Sequence, residues 1–185
     1  QQLAALRSGQ LLNYSELARD AGVSVETARR YLEYLRLSYQ AWFLEPYSGN
    51  LSKRLIKTPK LYWVDLGIWR HLCGRWGPVD GAAFETYVVT ETMKYVRTRG
   101  LETRLSFWRT RAGMEVDLLL ETGAGIVGME IRMAERVGRS DAGALRRVAM
   151  EMRDRWRLGM VVYRGQRLYP LADRIWAVPS TMLLG

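Results

Sequence analysis

Two acids and a cation carry the chemistry this chain can be read for. Asp117 lies in Met-Glu-Val-Asp-Leu-Leu-Leu (114–120), and Glu130 and Arg132 lie in Ile-Val-Gly-Met-Glu-Ile-Arg (126–132). Both stretches alternate as strands do: Met114, Val116 and Leu118 share one face, Glu115 and Asp117 the other. In the second stretch Met129, Ile131 and Met133 share a face and Glu130 and Arg132 oppose them. Thr122, Gly123, Ala124 and Gly125 supply a turn between the two. A hairpin so built is expected to bring Asp117, Glu130 and Arg132 onto one surface. Two carboxylates about 4 Å apart at an effective dielectric near 20 repel by roughly 4 kcal/mol. A hard divalent cation offsets that repulsion, with oxygen ligands and waters kept for chemistry. Arg132 offsets it without a metal.

Asp117, twelve intervening residues and then Glu130-Ile131-Arg132 form a spacing that resembles the PD-(D/E)XK nuclease motif. In that superfamily the two acids bind the metal, and a lysine two residues further on stabilises charge and helps activate water. The resemblance implies Asp117 and Glu130 as ligands of Mg²⁺ or Mn²⁺ in an active site.

The elements that must position these residues follow from periodicity. Gly81 to about Arg99 reads as a helix with Phe84, Tyr87, Val88 and Tyr95 on its apolar side. Glu85 borders that side, so its carboxylate either reaches water or faces a site. A strand from Leu101 to Trp108 precedes the hairpin. A helix from about Asp141 to Arg157, a strand from Leu158 to Tyr163 and a last strand from Arg174 to Pro179 follow it. Helix, three strands, helix, strand is the topology of restriction-endonuclease-like folds, in which the first helix often supplies an additional acid. Glu85 is placed for that role.

The N-terminal third reads differently. A helix with Ser15 as its cap leads through Ala21-Gly22-Val23 to a second, Ser24-capped helix from Val25 to about Leu37. Ala28, Tyr31, Leu32 and Leu35 form its apolar stripe. This is a helix-turn-helix whose N-terminal face carries Glu26, Thr27, Arg29 and Arg30. Ala41 to Tyr47 is strand-like, and Leu51 to Ile56 could return as a wing. Lys53, Arg54, Lys57 and Lys60 cluster there, suited to phosphate contacts. A strand with an Asp65-capped helix follows, and 74–80 reads as a linker. His71 is the one histidine, with no second ligand beside it, and is assigned a packing or surface role. Trp63, Trp69 and Trp76 read as core and interface aromatics.

Composition sets the outer bounds. The chain has 185 residues, 48% of them hydrophobic, and a net charge of +9. That excess points to a polyanionic partner, nucleic acid first. No apolar run is long enough to span a bilayer and no signal peptide is visible, so no membrane partner is expected. One cysteine, Cys73, excludes an intrachain disulfide framework and fits a reducing cytoplasm. The opening Gln1-Gln2-Leu3-Ala4-Ala5-Leu6 reads as mid-helix, as in a piece of a longer protein.

An ordered series of motifs resembles the C-terminal region, a domain of unknown function, of a prokaryotic AAA+-type ATPase family. The series is Leu-Leu-Asn-Tyr-Ser-Glu-Leu-Ala (11–18), Thr-Ala-Arg-Arg-Tyr-Leu (27–32) and Pro-Lys-Leu-Tyr-Trp-Val-Asp-Leu-Gly (59–67). Gly-Ala-Ala-Phe-Glu (81–85), Phe-Trp-Arg (107–109) and Glu-Val-Asp (115–117) complete it. The resemblance implies a winged helix-turn-helix followed by a PD-(D/E)XK-like domain, with an ATPase module upstream. No Gly-x-x-x-x-Gly-Lys-Ser/Thr loop occurs, so this chain is not expected to bind or hydrolyse ATP. The family pattern has Glu-Val-Lys where this sequence has Glu130-Ile131-Arg132. Arginine stays protonated, so it stabilises charge without shuttling a proton, and its fork can clamp the acids directly.

The sequence is therefore expected to fold as a mixed α/β (α+β) chain. Residues 1–73 form a winged helix-turn-helix, 74–80 a linker and 81–185 a restriction-endonuclease-like αβββαβ domain. Its expected function is DNA binding by a nuclease-like module of an ATPase, with cleavage weakened or lost through Arg132. Two alternatives stand beside it: an active Mg²⁺- or Mn²⁺-dependent endonuclease, with Glu85, Asp117, Glu130 and Arg132 in its site, and a protein-interaction or regulatory platform of the ATPase that binds no DNA. Thr27, Arg29, Arg30, Lys53, Arg54 and Lys57 are the expected nucleic-acid contacts.

Overall fold

The computed structural model describes residues 1–48 and 56–185. The expected wing strand and the predicted contacts Lys53 and Arg54 fall outside the described residues, apart from Ile56.

The first part is helical with a small sheet. Helix α1 (Gln2–Ala5) and strand β1 (Gln10–Leu11) lead into α2 (Tyr14–Ala21) and α3 (Val25–Leu37), then β2 (Ala41–Leu44), β3 (Lys60–Trp63) and α4 (Leu66–Cys73). The three strands pair antiparallel in the order β1-β3-β2. Asn13, not Ser15, caps α2, because its side-chain oxygen accepts the Glu16 amide at 3.1 Å and starts the helix earlier than expected. Gly22 then turns the chain with a φ of +65°, where a side chain would be strained. Ser24 caps α3 as expected. Ala28, Leu32 and Leu35 are buried on its inner face, whereas Tyr31 stands 62% exposed. Trp63 and Trp69 are core residues; Trp76 lies exposed with its ring edge-on to His71.

The second part is a six-stranded mixed sheet between two helices. It runs α5 (Gly81–Thr98), β4 (Arg104–Arg109), β5 (Glu115–Thr122), β6 (Gly125–Arg132), α6 (Gly143–Met152), β7 (Trp156–Tyr163), β8 (Tyr169–Ala172), β9 (Ile175–Pro179) and α7 (Ser180–Leu184). The sheet order is β4-β5-β6-β7-β9-β8, with β6-β7 and β7-β9 parallel. Helix α6 is shorter than its periodicity predicts. It ends at Met152, Arg153–Arg155 form a 3₁₀ turn with Arg153 at φ +51°, and Trp156 already begins β7. Phe84 and Val88 of α5 are buried, but Tyr87 and Tyr95 turn outward.

One core lies between the sheet and α6, around Val116, Leu119, Leu145 and Trp156. The other lies on the α5 side and takes Phe84, Val88, Leu118, Met129 and Ile131 together with Leu44 and Tyr62 from the first part. The two parts therefore share a core. Their backbones meet as well: the Phe107 amide donates to Glu45 O (3.1 Å), the Tyr47 amide to Phe107 O (2.7 Å) and the Ile56 amide to Arg109 O (3.0 Å), all along β4.

Candidate acidic site

An irregularity in β5 decides which acids meet. Ser106 pairs with Leu119 and Trp108 with Val116, so Phe107 faces both Asp117 and Leu118. This bulge breaks the expected alternation. Val116 packs toward α6 while Leu118 packs toward α5, correcting the single face that period-two spacing gave them. Glu115 and Asp117 share the α5 side of the sheet. There Glu85, on α5, completes a cluster in which one carboxylate oxygen from each of the three lies within 4.8 Å of the others.

Glu130 and Arg132 sit elsewhere. A Cβ at Gly128 would run into Trp156 and Leu145 of the α6 core, and Glu130 and Arg132 continue that face by alternation. Arg132 pairs with Glu130 and approaches Asp141, ahead of α6, at 3.6 Å. The expected common surface for Asp117, Glu130 and Arg132 is thus corrected: Asp117 joins Glu85 and Glu115, and Arg132 holds Glu130 alone. The two groups approach each other where β5 and β6 separate. Ladder pairing of β5 with β6 runs from Thr122–Gly125 to Leu118–Met129. Beyond it the Asp117 side chain takes a ladder position, its Oδ2 accepting the Ile131 amide at 2.7 Å.

Two cations reach the cluster. Lys60, 2% exposed, places its ammonium 3.1 Å from Glu85 Oε1 and pairs with Glu115. Arg109 Nη1 holds the other Glu115 oxygen at 2.5 Å. Tyr62, on the same face of β3 as Lys60, donates its hydroxyl to Glu85 Oε1 at 2.7 Å. Three acids thus face two fixed cations and a phenol.

The electrostatics follow from burial. Desolvation, then the Glu85 charge, push Asp117 up to about 7, against the pull of Lys60 and the Ile131 amide. Desolvation and then the Asp117 charge raise Glu130, against Arg132. Burial opposes the Lys60 ammonium, but Glu85, Asp117 and Glu115 outweigh it and raise its pKa. Glu130 Oε2 is buried without a hydrogen-bond partner among the described residues.

Sequence reasoning missed Glu115, Lys60, Tyr62 and Arg109 as members of this cluster. Lys60 was expected among the phosphate-facing lysines; its burial corrects that. The available signal was the alternation of Lys60 and Tyr62 against Leu61 and Trp63. Of the expected nucleic-acid residues, Arg29 stacks on Tyr14 at 4.4 Å and shares with exposed Lys57 a cleft beside the start of α2. Arg30 is exposed, and half-buried Thr27 bonds the Ser24 hydroxyl.

A chain with this sheet, these flanking helices and this acidic cluster belongs to the family described as a domain of unknown function, DUF4143, which it matches over residues 80–183. Residues 1–77 match a second domain of unknown function, DUF8612. Among curated proteins it is similar to two uncharacterized proteins, one from Mycobacterium tuberculosis and one from Mycobacterium bovis. Each is 32% identical over 185 residues, 95% of this chain and 40% of the relative's length. The chain thus spans two fifths of the relatives it matches. No solved structure matches it.

Proposed function

We propose that this chain is a nucleic-acid-binding module with a nuclease-like acidic site, and that cleavage by that site is weak or lost. The observation that carries the reading is the convergence of Glu85, Glu115 and Asp117 beside the split between β5 and β6. Three carboxylates at this separation suit a hard divalent cation such as Mg²⁺ or Mn²⁺. Such an ion would polarise a phosphodiester and activate a water when bound. The same geometry argues for weak turnover. Lys60 already pairs with two of the three acids, and Arg132 holds the second motif acid on the other side of the sheet. A metal must displace an ammonium that the fold delivers at no translational cost.

Nucleic-acid binding rests on the +9 net charge and on the first part of the chain, which we read as a winged helix-turn-helix. Arg29, Arg30 and Lys57 are then its described phosphate contacts. Because this domain class commonly accompanies ATPase-type proteins, we place the module beside an ATPase in the intact protein.

One observation favours an active endonuclease instead: Lys60 puts a lysine among the acids where the motif position holds arginine. Plasmid nicking with Mn²⁺, run beside Asp117→Ala, separates the two. Slow or absent nicking with salt-sensitive duplex binding is expected. Rapid nicking that Asp117→Ala abolishes establishes the active enzyme. Absence of duplex binding at low salt overturns both readings.

A further inference from the structure

The loops that follow β6 and β7 enclose an open cleft of about 680 Å³ that the acidic site does not use. These strands are parallel neighbours, and crevices at the carboxyl ends of parallel strands are where α/β sheets bind ligands. Three guanidinium groups line it: Arg136 from the first loop, Arg164 and Arg167 from the second. All three are exposed, and none makes an ion pair among the described residues. Elsewhere Arg7, Arg36, Arg75, Arg109, Arg132, Arg147 and Arg155 each hold a carboxylate. Glu135 is the one acid in the cleft lining.

The cations are carried on loops fixed by hydrogen bonds. Tyr163 Oη donates to Arg167 O at 2.6 Å and accepts the Arg167 amide at 3.2 Å. Tyr169 Oη, at the start of β8, donates to Val137 O at 2.7 Å, and the Arg164 amide donates to Ala134 O at 2.9 Å, tying the two loops together. Gly165 passes so close to the first loop that a Cβ there would lie 2.6 Å from Glu135 O. Arginines held this way lose little backbone freedom on binding an anion.

We propose that this cleft binds the phosphate backbone of a nucleic acid. The proposal rests on the nuclease-like reading; the cleft lies just beyond the carboxyl end of β6, on the side of the sheet that holds Glu130 and Arg132 and not against the Glu85, Glu115 and Asp117 cluster. The guanidinium fork suits phosphate oxygens, and the absence of partner acids among the described residues leaves all three groups free to engage them.

The test is binding of a fluorescent duplex to the full chain across a series of KCl concentrations. Arg136→Ala/Arg164→Ala/Arg167→Ala is compared with a charge-matched control on and just after α6, Arg146→Ala/Arg147→Ala/Arg153→Ala. The cleft variant is expected to bind at least about tenfold more weakly at low salt. Its slope of log affinity against log salt is expected to be shallower by about 2.7, at about 0.9 for each phosphate that the variant leaves unneutralised. The α6 control is expected to change the slope by less than half as much. A triple lysine variant at the cleft keeps the charge and is expected to retain the slope, and a urea midpoint of the cleft alanine variant matching wild type excludes misfolding as the cause of weaker binding. Unchanged binding by the cleft variant, or equal weakening in both alanine sets, overturns the assignment. If wild type binds while only Arg29→Ala/Lys57→Ala weakens it, the cleft alone is refuted. If wild type binds no nucleic acid, the cleft and the nuclease-like reading fall together.

Discussion

Replacing Lys60 by Met removes a buried charge while keeping a long unbranched side chain, and the structure fixes what should follow. At 3.1 Å and an effective dielectric near 20, the attraction between Lys60 and Glu85 is about 5 kcal/mol. Glu115 adds to it, and burial of the ammonium works against both. Glu85 keeps 24% of its side chain exposed, so solvent screens part of this attraction. Truncating one partner of a buried pair costs about 3–5 kcal/mol because the other is left uncompensated. We expect the lower half of that range at neutral pH, since Arg109 still holds one Glu115 oxygen. The deficit should shrink on acidification, as the freed carboxyls take up protons and no longer need the ammonium. The assay is urea unfolding at pH 7.5 and pH 5, with Lys60→Met/Glu85→Gln as the control that also removes the Glu85 charge. A loss below about 1 kcal/mol at neutral pH, or the same loss at both pH values, would refute the view that Lys60 neutralises the cluster, since methionine alone replaces the packing.

Two further outcomes follow from the geometry. Asp117 has a folded pKa raised to about 7, so its contribution to stability is complete below its unfolded value near 4 and is lost as pH rises toward 7. Between those limits the slope approaches about 1.4 kcal/mol per pH unit, and Asp117→Asn should flatten the stability profile measured over that window. At Gly128, an added methyl would meet the Trp156 ring at 2.6 Å and Leu145 at 2.9 Å, so Gly128→Ala should destabilise by about 1–3 kcal/mol in the same unfolding assay; an unchanged midpoint would contradict the tight packing of β6 on α6.

Much of the fold was legible because local chemistry dictates it. Ser24 and Asp65 cap the helices they were assigned to, and the Thr122–Gly125 turn joins the strands it was expected to join. What eluded the sequence was set by tertiary context. The Asp117–Leu118 bulge leaves no mark in a run of alternating residues, yet it separates Val116 from Leu118. Arg153 at positive φ ends α6 early, although the apolar periodicity continues to Trp156. Strand β8 carries Pro170 in a short edge segment and offers no clear period. At the candidate site Asp117 and Glu85 were legible as acids aimed at a common region. Lys60 was not, since its partners lie at residues 85 and 115; its alternation with Tyr62 sets the two on one face of a strand but does not say that the face is buried.

The bonds that the segment around Glu45–Tyr47 and Ile56 makes along β4 bear on how this protein can be divided. The two family matches adjoin near residue 78, which invites expression of the second as an independent fragment. Such a fragment would lose the cover from Leu44 and Tyr62 and bare an open row of donors and acceptors on β4. Uncapped borders of that kind recruit other chains. Residues 1–185 are best kept together for purification or crystallisation, and self-association of a fragment cut near residue 78 would say more about the cut than about the protein.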